Sequence, residues 1–333
     1  MSALPHALPA MEPRNLPLLF DEADLARLRT LVDLGEVVTH WAEVDDSVLA
    51  DTEIVITGWG AAPLTREVLD RMPRLRAVAH SGGGIGPLLS ASGWDRGVEV
   101  STAGLANARP VAEFTLAMIL LAGKEVPWIA RRYRAEQASI DREKDYPHVG
   151  NRRRTIGLVG ASRTGRILID LLRPYAFEIL VSDPFLSPHE AQQLGVTAMP
   201  LPELAARSSI LSIHAPATPA TEGLISADVL AALPDGATVI NTARGALLDQ
   251  EALIAELDAE RLYAILDVTD PDEPLPPGHP LYTHPRALIT PHLAGSAGNE
   301  LQRLGESVVD ELARWMDGRG FAHPAARTES MLP

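Results

Sequence analysis

Short apolar runs alternate along the whole chain with longer stretches in which leucine, valine and alanine recur at helical spacing. EIVITGW (53–59), RAVAHS (76–81) and VEVST (98–102) read as short strands. LPLLF (16–20) and GEVVTHW (35–41) are taken as strands on the same ground. Between them, DEADLARLRTLVDL opens on Asp21 as a helix N-cap, and TREVLDRM supplies another helix. From Thr155 the alternation restarts more regularly: TIGLV, EILVSD, SILSIHA, TVINTA, YAILDV and ALITPH are strands, with helices between. SPHEAQQL carries a cap, a first-turn proline and a capping box in Ser187, Pro188 and Glu190. Alternation of this kind predicts parallel sheets covered by helices, and the second set of six strands matches a doubly wound nucleotide domain.

NARPVAEFTLAMILLAG (107–123) reads as a long helix leaving the first unit, with Pro110 in its first turn. Its most apolar part, 114–123, is about half the length of a membrane span and reads as a buried helix. The stretch 141–154, closing on three arginines, reads as a solvated connector. The last helix, about 299–316, follows the second unit and packs back on the first, which makes that unit discontinuous. The expected class is therefore α/β, with two Rossmann-like or flavodoxin-like doubly wound parallel-sheet domains and a cleft between them. The expected substrate domain is 1–104 plus 297–333, and the expected dinucleotide domain is 105–296.

Composition narrows the chemistry. A length of 333 residues suits about two domains. A formal charge of −15 argues against nucleic acid and anionic membranes, because a polyanion is repelled. With no cysteines there is no disulfide, thiolate catalysis or cysteine zinc site; no metal is implied, and a reducing cytoplasm fits. The proline-broken N-terminus lacks the apolar stretch of a signal peptide.

GLVGASRTGR has the shape of a dinucleotide-phosphate loop: Gly160 and Gly165 hold the first and third glycine places, and Ser162 holds the second. The amides of Arg163 and Thr164 lie at a helix N-terminus, which favours an anion. Asp183 ends the next strand 18 residues after Gly165, at the place of the acid that hydrogen-bonds a ribose diol. A carboxylate there repels a 2′-phosphate, so NAD is favoured over NADP. Arg244, Asp267 and His292 each follow a strand, and a proline-rich loop between the latter two carries Glu273. Arginine offers a planar fork for a substrate carboxylate, and histidine delivers a proton near neutral pH. A carboxylate beside the imidazole holds its orientation. That set suits reduction of a 2-keto acid.

The segments VSDPFL, IHAPATPATEGLI, INTARGALLDQEAL, LDVTDPDEPLPPGHPL and TPHLAGS, with the glycine loop, resemble the successive motifs of the D-isomer-specific 2-hydroxyacid dehydrogenases. That family includes phosphoglycerate dehydrogenase and glyoxylate/hydroxypyruvate reductase, and the similarity runs from about Leu75 to Ser296. The resemblance implies that Arg244 binds substrate and that His292 and Glu273 relay the proton. It also implies that Asp267 contacts the nicotinamide amide while Thr115, Pro216, Thr242 and Ala243 line the cofactor site. Backbone amides around Ser81, Gly82 and Gly83 would hold the substrate carboxylate, and the family implies a homodimer. Three features depart from the family pattern: Ser162, the Gly86-Pro87 pair where an acid and an asparagine are usual, and a relay loop one residue longer, which leaves Asp272 as a competitor to Glu273. Trp59 is either a pocket wall or core. A dinucleotide-sensing corepressor-like protein and a formate dehydrogenase-like enzyme remain as alternatives; the latter usually carries glutamine in place of the relay acid.

Overall fold

The first strand, β1 (His6–Ala10), forms in the proline-broken N-terminus. It pairs in parallel with β2 (Asp33–Leu34) on one side and β3 (Thr52–Thr57) on the other. Pro9 is tolerated because its carbonyl accepts from Val38 N–H at 2.8 Å, so its missing N–H lies on that same side, where pairing is nearly absent. The same proline explains why GEVVTHW is not the expected strand: pairing there shrinks to one bridge, Ala10 with Val38, and a 3-10 turn follows at Trp41–Glu43. LPLLF is likewise not a strand but the short helix Leu16–Leu19. An apolar run of that length does not by itself distinguish the two.

The structure, a computed structural model, describes residues 3–325 and Arg327. It divides into two units, residues 1–110 with 296–333, and residues 111–295. The division falls at Pro110, inside the helix Gly104–Gly123, rather than ahead of that helix. Pro110 therefore sits in the helix interior, where it removes a backbone hydrogen bond, and not in the first turn. This helix is long and apolar enough to cross a membrane. Its Ala112, Ile119 and Ala122 are nevertheless buried in the core of the second unit.

In the first unit β4 (Ala77–His80) and β5 (Glu99–Thr102) complete a parallel sheet in the order β2-β1-β3-β4-β5. Both faces are covered: Ile54 and Ile56 enter one core cluster, and Val55 between them enters the other. The C-terminal helix Leu301–Met316 supplies Leu304, Val308, Val309, Leu312 and Trp315 to the first cluster. Gly305 is what lets it approach, since a Cβ there would stand 1.8 Å from the Leu19 carbonyl oxygen.

The second unit holds β6 (Thr155–Val159), β7 (Glu178–Ser182), β8 (Thr197–Ala198), β9 (Ile210–Ile213), β10 (Thr238–Asn241), β11 (Tyr263–Leu266) and β12 (Ala287–Ile289). Their order is β12-β11-β10-β9-β6-β7-β8, all parallel. The chain reverses direction of growth at β6, the switch point outside which such sheets bind ligands. β8, an exposed two-residue edge strand, adds one to the six expected, and no apolar pattern announces it.

Candidate functional site

In the second unit the phosphate-type loop leaves β6 through Gly160, which has φ +101°, and a Cβ there would lie 2.7 Å from the Ala215 amide nitrogen. Gly165 is constrained by packing, with a virtual Cβ 2.4 Å from the Gly160 carbonyl oxygen. Ser162 has φ −65°, a backbone any residue adopts, and its hydroxyl accepts from Gly165 N–H at 3.3 Å as N-cap of the helix Arg163–Leu172. The serine thus caps the helix, and its own hydroxyl hydrogen stays available to an acceptor. The Thr164 N–H, in the first turn, has no partner among the described residues. Asp183 closes the loop from β7: its carboxylate accepts from Ala161 N–H at 2.7 Å and Phe185 N–H at 2.8 Å. Arg166 donates to the Ala161 carbonyl and pairs with Glu190, so Ala161 is held through both backbone groups.

Thr115 and Thr242 meet through their hydroxyls at 3.0 Å, and Pro216 is exposed just past β9. Asn241, the last residue of β10, accepts from Ala243 N–H and donates to the Arg244 carbonyl, which fixes the turn carrying both residues. Arg244 is exposed, donates to the Ala243 carbonyl, and pairs with no carboxylate among the described residues.

His292 and Glu273 are in direct hydrogen-bond contact, Nδ1 to Oε1. Because a carboxylate only accepts, Nδ1 carries the hydrogen and Nε2 is the atom left to exchange a proton. Asp272 offers only its backbone to this region, its carbonyl accepting from Thr269 Oγ1 at 2.6 Å. Both partners of the His292–Glu273 pair are near half exposed. His292 has φ +52°, a strained value for a non-glycine residue, and Asp267 holds it there. Asp267 is buried at the end of β11, and its carboxylate accepts from Thr290 Oγ1 (2.6 Å), Leu293 N–H (2.8 Å) and Ala294 N–H (2.9 Å). Its carbonyl accepts from His292 N–H at 3.0 Å. This bracing was not legible in the sequence, where Asp267 is only an acid at a strand end.

In the first unit Ser81, Gly82 and Gly83 follow β4. Ser81 donates to the Thr57 carbonyl through both its N–H and its hydroxyl, at 2.8 Å each. No hydrogen bond ties the N–H groups of Gly82, Gly83, Gly84 or Ile85 among the described residues. These backbone donors are left without a protein acceptor. Asn107, another residue sequence reasoning missed, sits 3.1 Å from a virtual Cβ on Gly83 and accepts from Ser296 N–H at 2.8 Å. Trp59, at the end of β3, is 44% exposed and so is not core. Two buried histidines, His80 beneath the glycine run and His214 at the end of β9, are both pushed down to about 4 by burial.

The model of the D-isomer specific 2-hydroxyacid dehydrogenase NAD binding domain matches residues 116–294. The D-3-phosphoglycerate dehydrogenase of Mycobacterium tuberculosis is 31% identical over 302 residues, 87% of this chain and 55% of the relative. That of Bacillus subtilis is 28% identical over 265 residues, 78% of this chain and 48% of the relative. The chain thus spans about half the length of the curated relatives it matches. Among solved structures, a phosphoglycerate oxidoreductase from Rhizobium etli superposes with a TM-score of 0.82 at 25% identity, covering 97% of this chain and 99% of the other.

Proposed function

Because this chain belongs to the D-isomer specific 2-hydroxyacid dehydrogenases, we propose that it interconverts a 2-keto acid and its D-2-hydroxy acid with NAD(H). The observation that carries this reading is the hydrogen-bonded His292–Glu273 pair, braced by Asp267, in the same unit as an Arg244 fork that has no carboxylate partner. The loop fits a dinucleotide: glycine stands where backbone passes within 2.7 Å of a would-be Cβ, a capped helix begins there, and a carboxylate closes the far side. Gly160, Ser162, Arg163, Thr164, Gly165 and Asp183 would hold the nucleotide half, with Thr115, Pro216, Thr242, Ala243 and Asp267 toward the nicotinamide. The nicotinamide, when bound, supplies or accepts the hydride.

In the direction of reduction, Arg244 takes the substrate carboxylate in a bidentate grip and fixes the 2-carbonyl. His292 gives the proton on Nε2 to the carbonyl oxygen as that oxygen gains charge, while Glu273 keeps the ring oriented through Nδ1–H. In oxidation the neutral ring takes the proton back. The first unit is the substrate domain in this reading, and amides around Ser81, Gly82 and Gly83 take part of the carboxylate charge. NADH is preferred to NADPH because Asp183 repels a 2′-phosphate. A homodimer in the cytoplasm completes the proposal.

The test is oxidation of NADH, with NADPH in parallel, by the purified protein against 2-keto acids from glyoxylate to phenylpyruvate. Turnover that prefers NADH supports the reading. Tight NADH binding without turnover of any 2-keto acid would move the protein to a sensing role.

A further inference from the structure

Among the described residues, Trp59 is the one exposed aromatic side chain of the first unit, at 44%. It stands just past β3, and its backbone is held from the loop that follows β1. The Trp59 carbonyl accepts from Glu12 N–H at 3.0 Å and from Asn15 Nδ2 at 2.9 Å. The glycines on either side are tightly enclosed. A Cβ on Gly58 would meet Ser81 Oγ at 3.0 Å and Met11 Cβ at 3.3 Å, and one on Gly60, at φ +82°, would stand 2.5 Å from Glu12 Cγ. Trp59 also lies beside the run Ser81–Gly83. Thr57 and His80 pair in register, so the two loops leave the sheet together, and Ser81 donates twice to the Thr57 carbonyl.

Charge along this edge is the second observation. Met11 and Glu12 follow β1, residues 58–62 follow β3, residues 81–88 follow β4, and residues 103–106 follow β5. These segments contain no lysine or arginine and one ionised side chain, Glu12, which is paired with Arg14 at 2.6 Å. Arg66 and Arg109, the next basic residues after the β3 and β5 segments, belong to the helices Arg66–Asp70 and Gly104–Gly123. A phosphate dianion is held by charge-assisted hydrogen bonds from arginine or lysine, and without them its lost hydration goes uncompensated. An exposed indole on a fixed backbone offers the opposite: apolar area that a ligand can cover, with little ordering left to do.

We infer that Trp59 sets the substrate class: the group on the 2-carbonyl carbon is uncharged, bulky and apolar, branched or aryl, and packs on the indole. A phosphorylated acid, the kind named by the curated relatives, is disfavoured at this edge. The inference rests on the proposed function for the reaction and for the first unit as substrate domain; the selection itself is a matter of binding.

The test compares kcat/KM for NADH-dependent reduction of phenylpyruvate, glyoxylate and 3-phosphohydroxypyruvate by the full chain. Wild type is expected to favour phenylpyruvate over 3-phosphohydroxypyruvate by about tenfold or more. In Trp59→Ala the ratio of kcat/KM for phenylpyruvate to that for glyoxylate is expected to fall about tenfold or more, chiefly through KM for the keto acid. Trp59→Leu, which keeps apolar bulk, is expected to recover much of that ratio. A folding defect lowers both activities alike and leaves the ratio unmoved. A wild-type preference for 3-phosphohydroxypyruvate overturns the inference, as does an unchanged ratio in Trp59→Ala. If wild type reduces none of the three acids, the proposed function is what has failed, and calorimetric titration of the NAD-loaded protein with phenylpyruvate then decides on Trp59. Binding that weakens about tenfold or more in Trp59→Ala supports the inference; equal binding, or none by wild type, overturns it.

Discussion

Glu273 and Asp272 are neighbours on one loop, and only Glu273 reaches His292. Removing its charge without changing its size should therefore reveal itself where changing Asp272 does not. We expect Glu273→Gln to lower kcat at least roughly tenfold, because the amide presents donor and acceptor alternately and no longer selects one ring orientation. Asp272→Asn should stay within about twofold. His292→Gln should lower kcat by roughly 10²–10⁴-fold, the usual contribution of a positioned acid–base group, with NADH affinity by fluorescence titration nearly intact. Equal effects of the two acidic substitutions on steady-state turnover would remove the relay role from Glu273. Asp183, proposed to bind the ribose, differs from these in also holding the loop, since it accepts from Ala161 N–H and Phe185 N–H. Asp183→Ala should therefore both weaken NADH binding and bring the NADH and NADPH affinities together. A lower NADH affinity at an unchanged preference would leave Asp183 a loop clamp and nothing more.

At the scale of elements, Ser162 shows how far a motif carries and where geometry takes over. The sequence pattern reads it as a defective glycine, whereas its φ of −65° and its bond to Gly165 N–H make it a helix cap. The expected outcome is specific: Ser162→Gly should leave stability within a few tenths of a kcal/mol, and Ser162→Ala should lower it by about 1 kcal/mol, both by urea unfolding. NADH affinity should vary less than about threefold in the glycine variant. Six strands of the second sheet were legible because each is a run of apolar residues ended by a turn signal, and the capping box at Ser187 and Glu190 forms as read. The N-terminal strand was not legible, because HALPA owes its strand to β3 rather than to its own residues. LPLLF failed for the opposite reason, having β-like apolarity in a segment that tertiary packing turns into a helix. Among the candidate site residues, types and spacing pointed to Arg244 and His292, while the acid beside the histidine stayed open between Glu273 and Asp272. The roles of Asp267 and Asn107 as braces depend on contacts distant in sequence, which no local pattern encodes.

For the whole molecule the two buried histidines give an acid limit to folding. His80 lies in one unit and His214 in the other, each lowered from 6.5 to about 4 by burial. Ser212 Oγ meets His214 Nε2 at 2.9 Å, as Thr57 meets His80, so each ring is built into its core as a neutral group. A histidine whose folded pKa lies below its unfolded value binds protons in the unfolded state first. Stability contributed by these neutral rings is therefore complete above about 6.5 and is lost progressively as pH falls toward about 4, below which neither removes more. The limiting slope is about 1.4 kcal/mol per pH unit for each histidine, and the full loss about 3 kcal/mol each, with carboxylates entering only toward the lower end. Urea unfolding between pH 7.5 and 5 isolates the histidine part. In that window the free energy of unfolding of wild type should fall with pH, and His214→Gln should flatten the fall in the second unit whatever it does to stability at pH 7.5. An equal slope in wild type and His214→Gln would mean that His214 titrates alike in both states, and that its burial does not set the acid limit.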